Sequence, residues 1–163
     1  MTISGIPGAG ASGRGDAVRV MVCMIDGCRV AIPLDAIVET LDRASFDARA
    51  RQDRSYSVPL VDWSDLIGMA SDELVRSQVV VVRTGRDAAG LGVDACLGVR
   101  ELSLRATSPV ATHLCDAQGE PLCFLLRGDG ELHLLLDPRA VARAPRAAAQ
   151  GGAEPRPADP HGH

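Results

Sequence analysis

Two stretches far apart in the chain follow one pattern: an apolar extended run ends in an aspartate, and a short helix-like segment carries an apolar residue four positions later. The first is Val58-Pro59-Leu60-Val61-Asp62 with Leu66. The second is Leu132-His133-Leu134-Leu135-Leu136-Asp137 with Val141. Upstream of each lies a turn and a hairpin-like run, closing on Val38-Glu39-Thr40-Leu41 in one case and on Val99-Arg100-Glu101-Leu102 in the other. This is the signature of one small β unit used twice. Two such units would pack as paired barrels, and the equivalent positions hold nothing catalytic.

Reading along the chain places the elements. Residues 1–16 and 145–163 read as flexible tails, because Gly, Pro and Ala without periodicity bury too little surface to offset ordering entropy. The body, 17–144, opens with a strand from Val18 to Ile25, the hairpin dipeptide Asp26-Gly27, and a second strand from Cys28 to Ile32. Pro33 to Leu41 fits either helical spacing, through Leu34, Ile37, Val38 and Leu41, or a turn into a strand. Asp42 to Ser57 alternates charge sign and reads as an exposed excursion. Val58 to Val61 is a strand whose Pro59 lacks an amide donor, which puts it at an edge or bulge. Asp62 caps a helix that Gly68 ends. Gln78 to Arg83, with its four valines, suits a strand buried on both faces. Arg86 to Gly90 turns the chain into Leu91 to Val93, and Asp94 to Leu102 returns it. A Thr/Ser/Pro-rich loop precedes a last hairpin, Leu122 to Arg127 and Glu131 to Leu136, and Asp137-Pro138 opens a terminal helix.

Composition excludes several functions. Aromatic residues are 2% of the 163, too few for a base-stacking platform, and a net charge of −4 argues against nucleic acid as the main partner. All 17 basic residues are arginine, with no lysine and no asparagine, as codon bias in a GC-rich genome produces. No apolar run is long enough to insert in a membrane, and five cysteines without a CxxC pair fit a reducing, cytoplasmic setting. His113, Cys115, Cys123 and His133 are spaced unlike any compact zinc knuckle, so no metal or other cofactor is expected. No nucleophile turn or phosphate loop has the required context, which predicts a protein that is not an enzyme.

The order and spacing of these pieces resemble the CheW-like family of chemotaxis adaptors. The matching segments are Asp26-Gly27 with Val30-Ala31-Ile32-Pro33, Ile37-Val38-Glu39, Arg54 through Val58-Pro59-Leu60-Val61-Asp62, Val79 to Val82, Gly90-Leu91-Gly92-Val93-Asp94, and Leu136-Asp137 with its helix. The resemblance implies an all-β fold with short helices: two SH3-like five-stranded β-barrel subdomains sharing a hydrophobic core. It further implies a non-enzymatic adaptor that links chemoreceptor cytoplasmic tips to a CheA-type histidine kinase at receptor arrays. Gln52-Asp53-Arg54-Ser55 stands where the family has Asn-Leu-Arg-Gly, and Gly92 where it often has valine. The altered segment motivates an alternative, a receptor-only decoy or insulator without kinase coupling. A third reading, an oxidation-sensitive or zinc-dependent regulatory domain, rests on the cysteines alone.

The resemblance implies that Ile37, Glu39, Arg54, Val58 and Leu60 bind partners. Each has a plainer reading. Arg54 is otherwise a solvated member of a mixed-charge loop, and Ile37 is otherwise core. Asp62 and Asp137 are read as helix caps, since a carboxylate that accepts backbone amides is already occupied.

Overall fold

The computed structural model describes residues 17–68, 75–103, 107–108, 122–128 and 130–151. Strands β1 (Ala17–Ile25) and β2 (Cys28–Pro33) form the first hairpin, with Asp26 (φ 50°) and Gly27 (φ 77°) at its tip. Left-handed backbone at both positions gives the turn the same twist as its strands. A 3-10 turn over Leu34–Ala36 leads into β3 (Ile37–Asp42), so the ambiguous apolar segment is a turn into a strand. Helix α1 (Arg43–Gln52), strand β4 (Leu60–Val61) and helix α2 (Trp63–Ile67) follow. The second hairpin is β5 (Gln78–Thr84) with β6 (Asp87–Val93), turning tightly at Gly85-Arg86, so that β6 starts four residues before the expected Leu91 and takes in most of the expected turn. Then come β7 (Ala95–Ser103), β8 (Thr107–Ser108), β9 (Cys123–Gly128), β10 (Glu131–Leu136) and α3 (Pro138–Gly151).

The strands form a six-stranded sheet, β7-β1-β2-β10-β9-β8, and a four-stranded sheet, β3-β5-β6-β4. The duplication is visible in the pairing, and it is reciprocal. Hairpin β1–β2 is flanked by β7 and β10 from the second half, while hairpin β5–β6 is flanked by β3 and β4 from the first. The corresponding flanks also pair in the same sense. β10 runs parallel to β2, Leu134 opposite Val30, and β4 runs parallel to β6, Leu60 opposite Gly90. Each unit therefore completes the other's sheet.

That exchange changes the expected architecture. The chain is mostly β with a few short helices, but the described residues pair as open sheets of six and four strands rather than two closed five-stranded barrels. β3 and β7 each leave the hairpin they follow in sequence, so strands counted per half do not equal strands per sheet. Other local differences have local causes. The expected excursion after Asp42 contains a helix, because Asp42 caps α1 by accepting from the Ser45 amide (2.7 Å) and Arg43 pairs with Asp47 one turn on (3.0 Å). The strand expected from Val58 is regular only at Leu60–Val61. Pro59 precedes it and uses its carbonyl to accept from the Gly90 amide (2.8 Å). β4 is an edge strand, as a nearby proline favours. The second tail was expected from residue 145, yet α3 continues through Pro145 to Gly151. The first tail, residues 152–163 and most of the Thr/Ser/Pro loop lie outside the described residues.

A shared core fills the space between the sheets. Ile25, Val30, Ile32, Val80, Val82, Leu91 and Val93 meet Trp63 and Leu66 of α2 and Val141 of α3 there, all of them buried. A second cluster, Val18, Val20, Val22, Ala31, Leu102, Leu126 and Leu135, belongs to the six-stranded sheet alone. β1 serves both by simple alternation: Val18, Val20 and Val22 face the second cluster, and Met21, Cys23 and Ile25 face the shared core. Its partner β7 takes up Leu97 as an extra residue opposite Val22/Cys23 and so puts Cys96 and Leu102 on different faces. The valine run divides by alternation: Val80 and Val82 face the shared core, while Val79 and Val81 face Phe46 of α1. Helix caps form as read: Asp62 accepts from the Ser64 amide (3.3 Å) and Asp137 from the Arg139 amide (2.9 Å), and Gly68 (φ 69°) ends α2 in the left-handed region.

Candidate partner-binding surface

A register shift between Ile37 and Glu39 sends these two residues of β3 to different places. Ile37 turns inward and packs, partly buried, on the shared core. Glu39 turns toward α1, where its carboxylate accepts from the Arg49 guanidinium and from the Tyr56 hydroxyl (3.3 Å). Arg49 also lies over the Tyr56 ring, 5.3 Å from its centroid, and Tyr56 meets Phe46 edge-on at 6.0 Å. Val58 joins the same cluster, against Phe46, Val79 and Val81. Arg54 stands exposed in the turn after α1, a turn that Asp53 fixes by accepting from the Ser55 amide (2.9 Å).

Leu60 lies elsewhere. It sits on β4, at the far edge of the four-stranded sheet from β3, and is 37% exposed. With Val61, Ser64, Asp65, Gly68, Ala144 and Pro145 it lines a cleft of about 430 Å³ between α2 and α3. The five predicted residues thus divide. Glu39 and Val58 gather around α1, Arg54 follows in the turn beyond it, Leu60 marks the opposite edge, and Ile37 faces the core.

One cluster escaped sequence reasoning. Arg76, 4% exposed, donates to Asp26 (2.6 and 2.9 Å), to Asp94 (3.0 and 3.1 Å) and to Asp62 (3.3 Å). These carboxylates come from the β1–β2 turn, the β6–β7 junction and the cap of α2. One guanidinium therefore ties three separate chain segments together through charge-assisted bonds. The arginine holds the Asp26 carboxyl below the usual carboxylate range. Burial pushes Asp62 upward, but bonds from Ser64 and Arg76 outweigh it and leave that carboxyl low as well. Arg76 in turn is held above its ordinary range, chiefly by Asp26. The signal available in sequence was Gly92. A Cβ built there would lie 3.0 Å from Cγ of Arg76, so glycine makes room for the arginine's stem.

The two sheets interleave over a common core and leave separate, partly apolar edges at the surface. The sequence matches the CheW-like domain family over residues 19–146. The chain belongs to the CheW-like family. Its fold is similar to the crystal structure of the scaffolding protein TtCheW from Thermoanaerobacter tengcongensis, with a TM-score of 0.56 and 13% identity over 73% of this chain and 88% of that one. At that identity the likeness is one of fold. No match was found among curated proteins. Membership places this CheW-like domain among scaffold and adaptor proteins of chemotaxis in general. Among its described residues no helix is long and apolar enough to cross a membrane, and no three His, Cys, Asp or Glu side chains gather as a metal site. Cys123 and His133 are buried in β9 and β10, while His113 and Cys115 lie outside the described residues.

Proposed function

We propose that this CheW-like domain is a cytoplasmic, non-enzymatic adaptor coupling chemoreceptor cytoplasmic tips to a CheA-type histidine kinase. The observation that carries the reading is the family match, which spans both interleaved sheets from β1 to the start of α3. Two surfaces support it. Around α1, Glu39, Arg54 and Val58 offer a charged rim beside an apolar patch, and across the sheet Leu60 borders the α2–α3 cleft. The two sheets act as the two barrel-like halves of the adaptor, one docking the kinase's regulatory domain and the junction between them holding a receptor's helical tip. Coupling then depends on rigidity, because an adaptor shifts a kinase equilibrium only by binding its two states differently. The Arg76 node supplies rigidity where the halves meet.

Reconstitution of purified protein with receptor cytoplasmic fragments and a CheA-type kinase tests the reading. Receptor-coupled kinase activity should rise with added protein. Retention of neither partner in a pull-down overturns the proposal, and receptor binding with reduced kinase activity establishes the decoy instead.

A further inference from the structure

We propose that Cys23 and Cys96 form a redox-active dithiol that a hydroperoxide closes to a disulfide across β1 and β7. The two residues stand directly opposite each other in the antiparallel ladder, with their sulfurs 3.9 Å apart. Opposed residues in such a ladder have Cα atoms about 4.5–5.5 Å apart, inside the span of about 4.4–6.8 Å that a disulfide bridges. Side-chain rotation alone therefore brings the sulfurs into bonding range. The backbone on both sides is held in place: the Cys96 amide donates to the Gln78 side chain (2.9 Å) and the Asp94 amide to the Met24 carbonyl (2.9 Å).

The two thiols differ in the way such a reaction needs. Cys23 sits fully buried in β1, whereas Cys96 is partly exposed at the start of β7, next to that strand's bulge at Leu97. The Cys23 thiol donates to the Cys96 sulfur, which lowers Cys96 to about 7 and raises Cys23 above its ordinary range. Cys96 is thus the accessible thiolate and Cys23 the resolving thiol. In the first step the Cys96 sulfur attacks a peroxide oxygen. An S–O bond forms, the O–O bond breaks, and the departing hydroxide takes up a proton to leave as water. In the second step the Cys23 sulfur attacks the Cys96 sulfenic acid. The S–S bond forms, the S–O bond breaks, and the leaving hydroxide carries off the Cys23 proton as a second water. The two thiols supply two electrons and one peroxide accepts them. The product staples β7, a strand lent by the second half, to β1 of the first.

The test is titration of the full chain with hydrogen peroxide, followed by non-reducing peptide mapping. One equivalent should remove two thiols, yield a linked Cys23–Cys96 peptide, and be reversed by dithiothreitol. At pH 7 Cys96 should alkylate about tenfold or more faster than buried Cys123. Cys23→Ser should stop at a dimedone-trapped sulfenic acid on Cys96, Cys96→Ser should prevent the reaction, and Cys28→Ser should leave it intact. Circular-dichroism melts confirm that each variant is folded. A linkage through Cys28 or Cys115, irreversible oxidation of Cys96 in the wild type, or no thiol loss in tenfold peroxide excess overturns the proposal.

Discussion

The contact between Phe46 and Gly90 decides whether α1 is an integral layer of the fold, and a double-mutant cycle measures it. Phe46 is the one buried residue of α1 and is 4% exposed. Burial of roughly 170 Å² of aromatic surface at about 25 cal/mol per Å² gives about 4 kcal/mol. Compact denatured states reduce that figure and the cavity left behind restores it, so Phe46→Ala should cost about 3–5 kcal/mol. Gly90 lies beneath the ring. A Cβ there would stand 2.8 Å from Cγ1 of Val79 and 3.1 and 3.3 Å from Phe46 ring carbons. Gly90→Ala should therefore cost about 0.5–2 kcal/mol, overpacking of about 1–3 offset by the reduced entropy of the unfolded chain. In the double variant the ring contacts vanish and the new methyl fills part of the hole. The combined loss should fall short of the sum by about 1 kcal/mol. Urea unfolding at 25 °C, followed by far-UV circular dichroism with matched slopes, provides all four corners. Additivity within about 0.4 kcal/mol would refute direct packing of α1 on β6.

Other outcomes follow from the same geometry. Arg76→Gln should lower stability at pH 7. Because Asp26 and Asp62 titrate lower folded than unfolded, the gap should be full above about pH 4 and close as pH falls further, whereas a constant gap from pH 7 to pH 3 would remove the arginine from that role. Asp42→Ala should cost about 1 kcal/mol by uncapping α1, and urea midpoints would register it. Leu60→Asp and Arg54→Glu change exposed positions, so each should leave the thermal midpoint within a few degrees of wild type. Under the adaptor proposal they should weaken kinase or receptor retention about tenfold or more, and unchanged pull-downs for both would take those positions off the interface.

Features legible in sequence were those enforced by neighbours along the chain. Asp26-Gly27 could hardly be anything but a hairpin tip, and the valine run already showed two apolar faces. Asp62, Gly68 and Asp137-Pro138 carried their capping roles in residue type alone. Helix α1 was hidden because its support is polar: a cap, an ion pair one turn apart and a single buried ring leave no apolar stripe to read. The destinations of β3 and β7 were hidden for another reason. Their partners are remote in sequence, and alternation within a strand says which face is buried without saying beside whom. The register shifts at Val38 in β3 and Leu97 in β7 compounded this, since each reverses the facing of every later side chain in its strand. Arg76, one of many arginines in the chain, gained meaning only when three distant aspartates converged on it.

The lending of strands between halves also governs how the molecule comes into being. When residues up to 68 have left the ribosome, β1–β2 still lacks both neighbours, and β3 and β4 have no hairpin to join. Greasy edges must wait, exposed, until the remainder of the chain arrives, a delay that invites chaperone attention and favours slow, long-range closure. A break placed in the linker between α2 and β5 should accordingly yield two fragments that are unstructured apart and fold only when mixed.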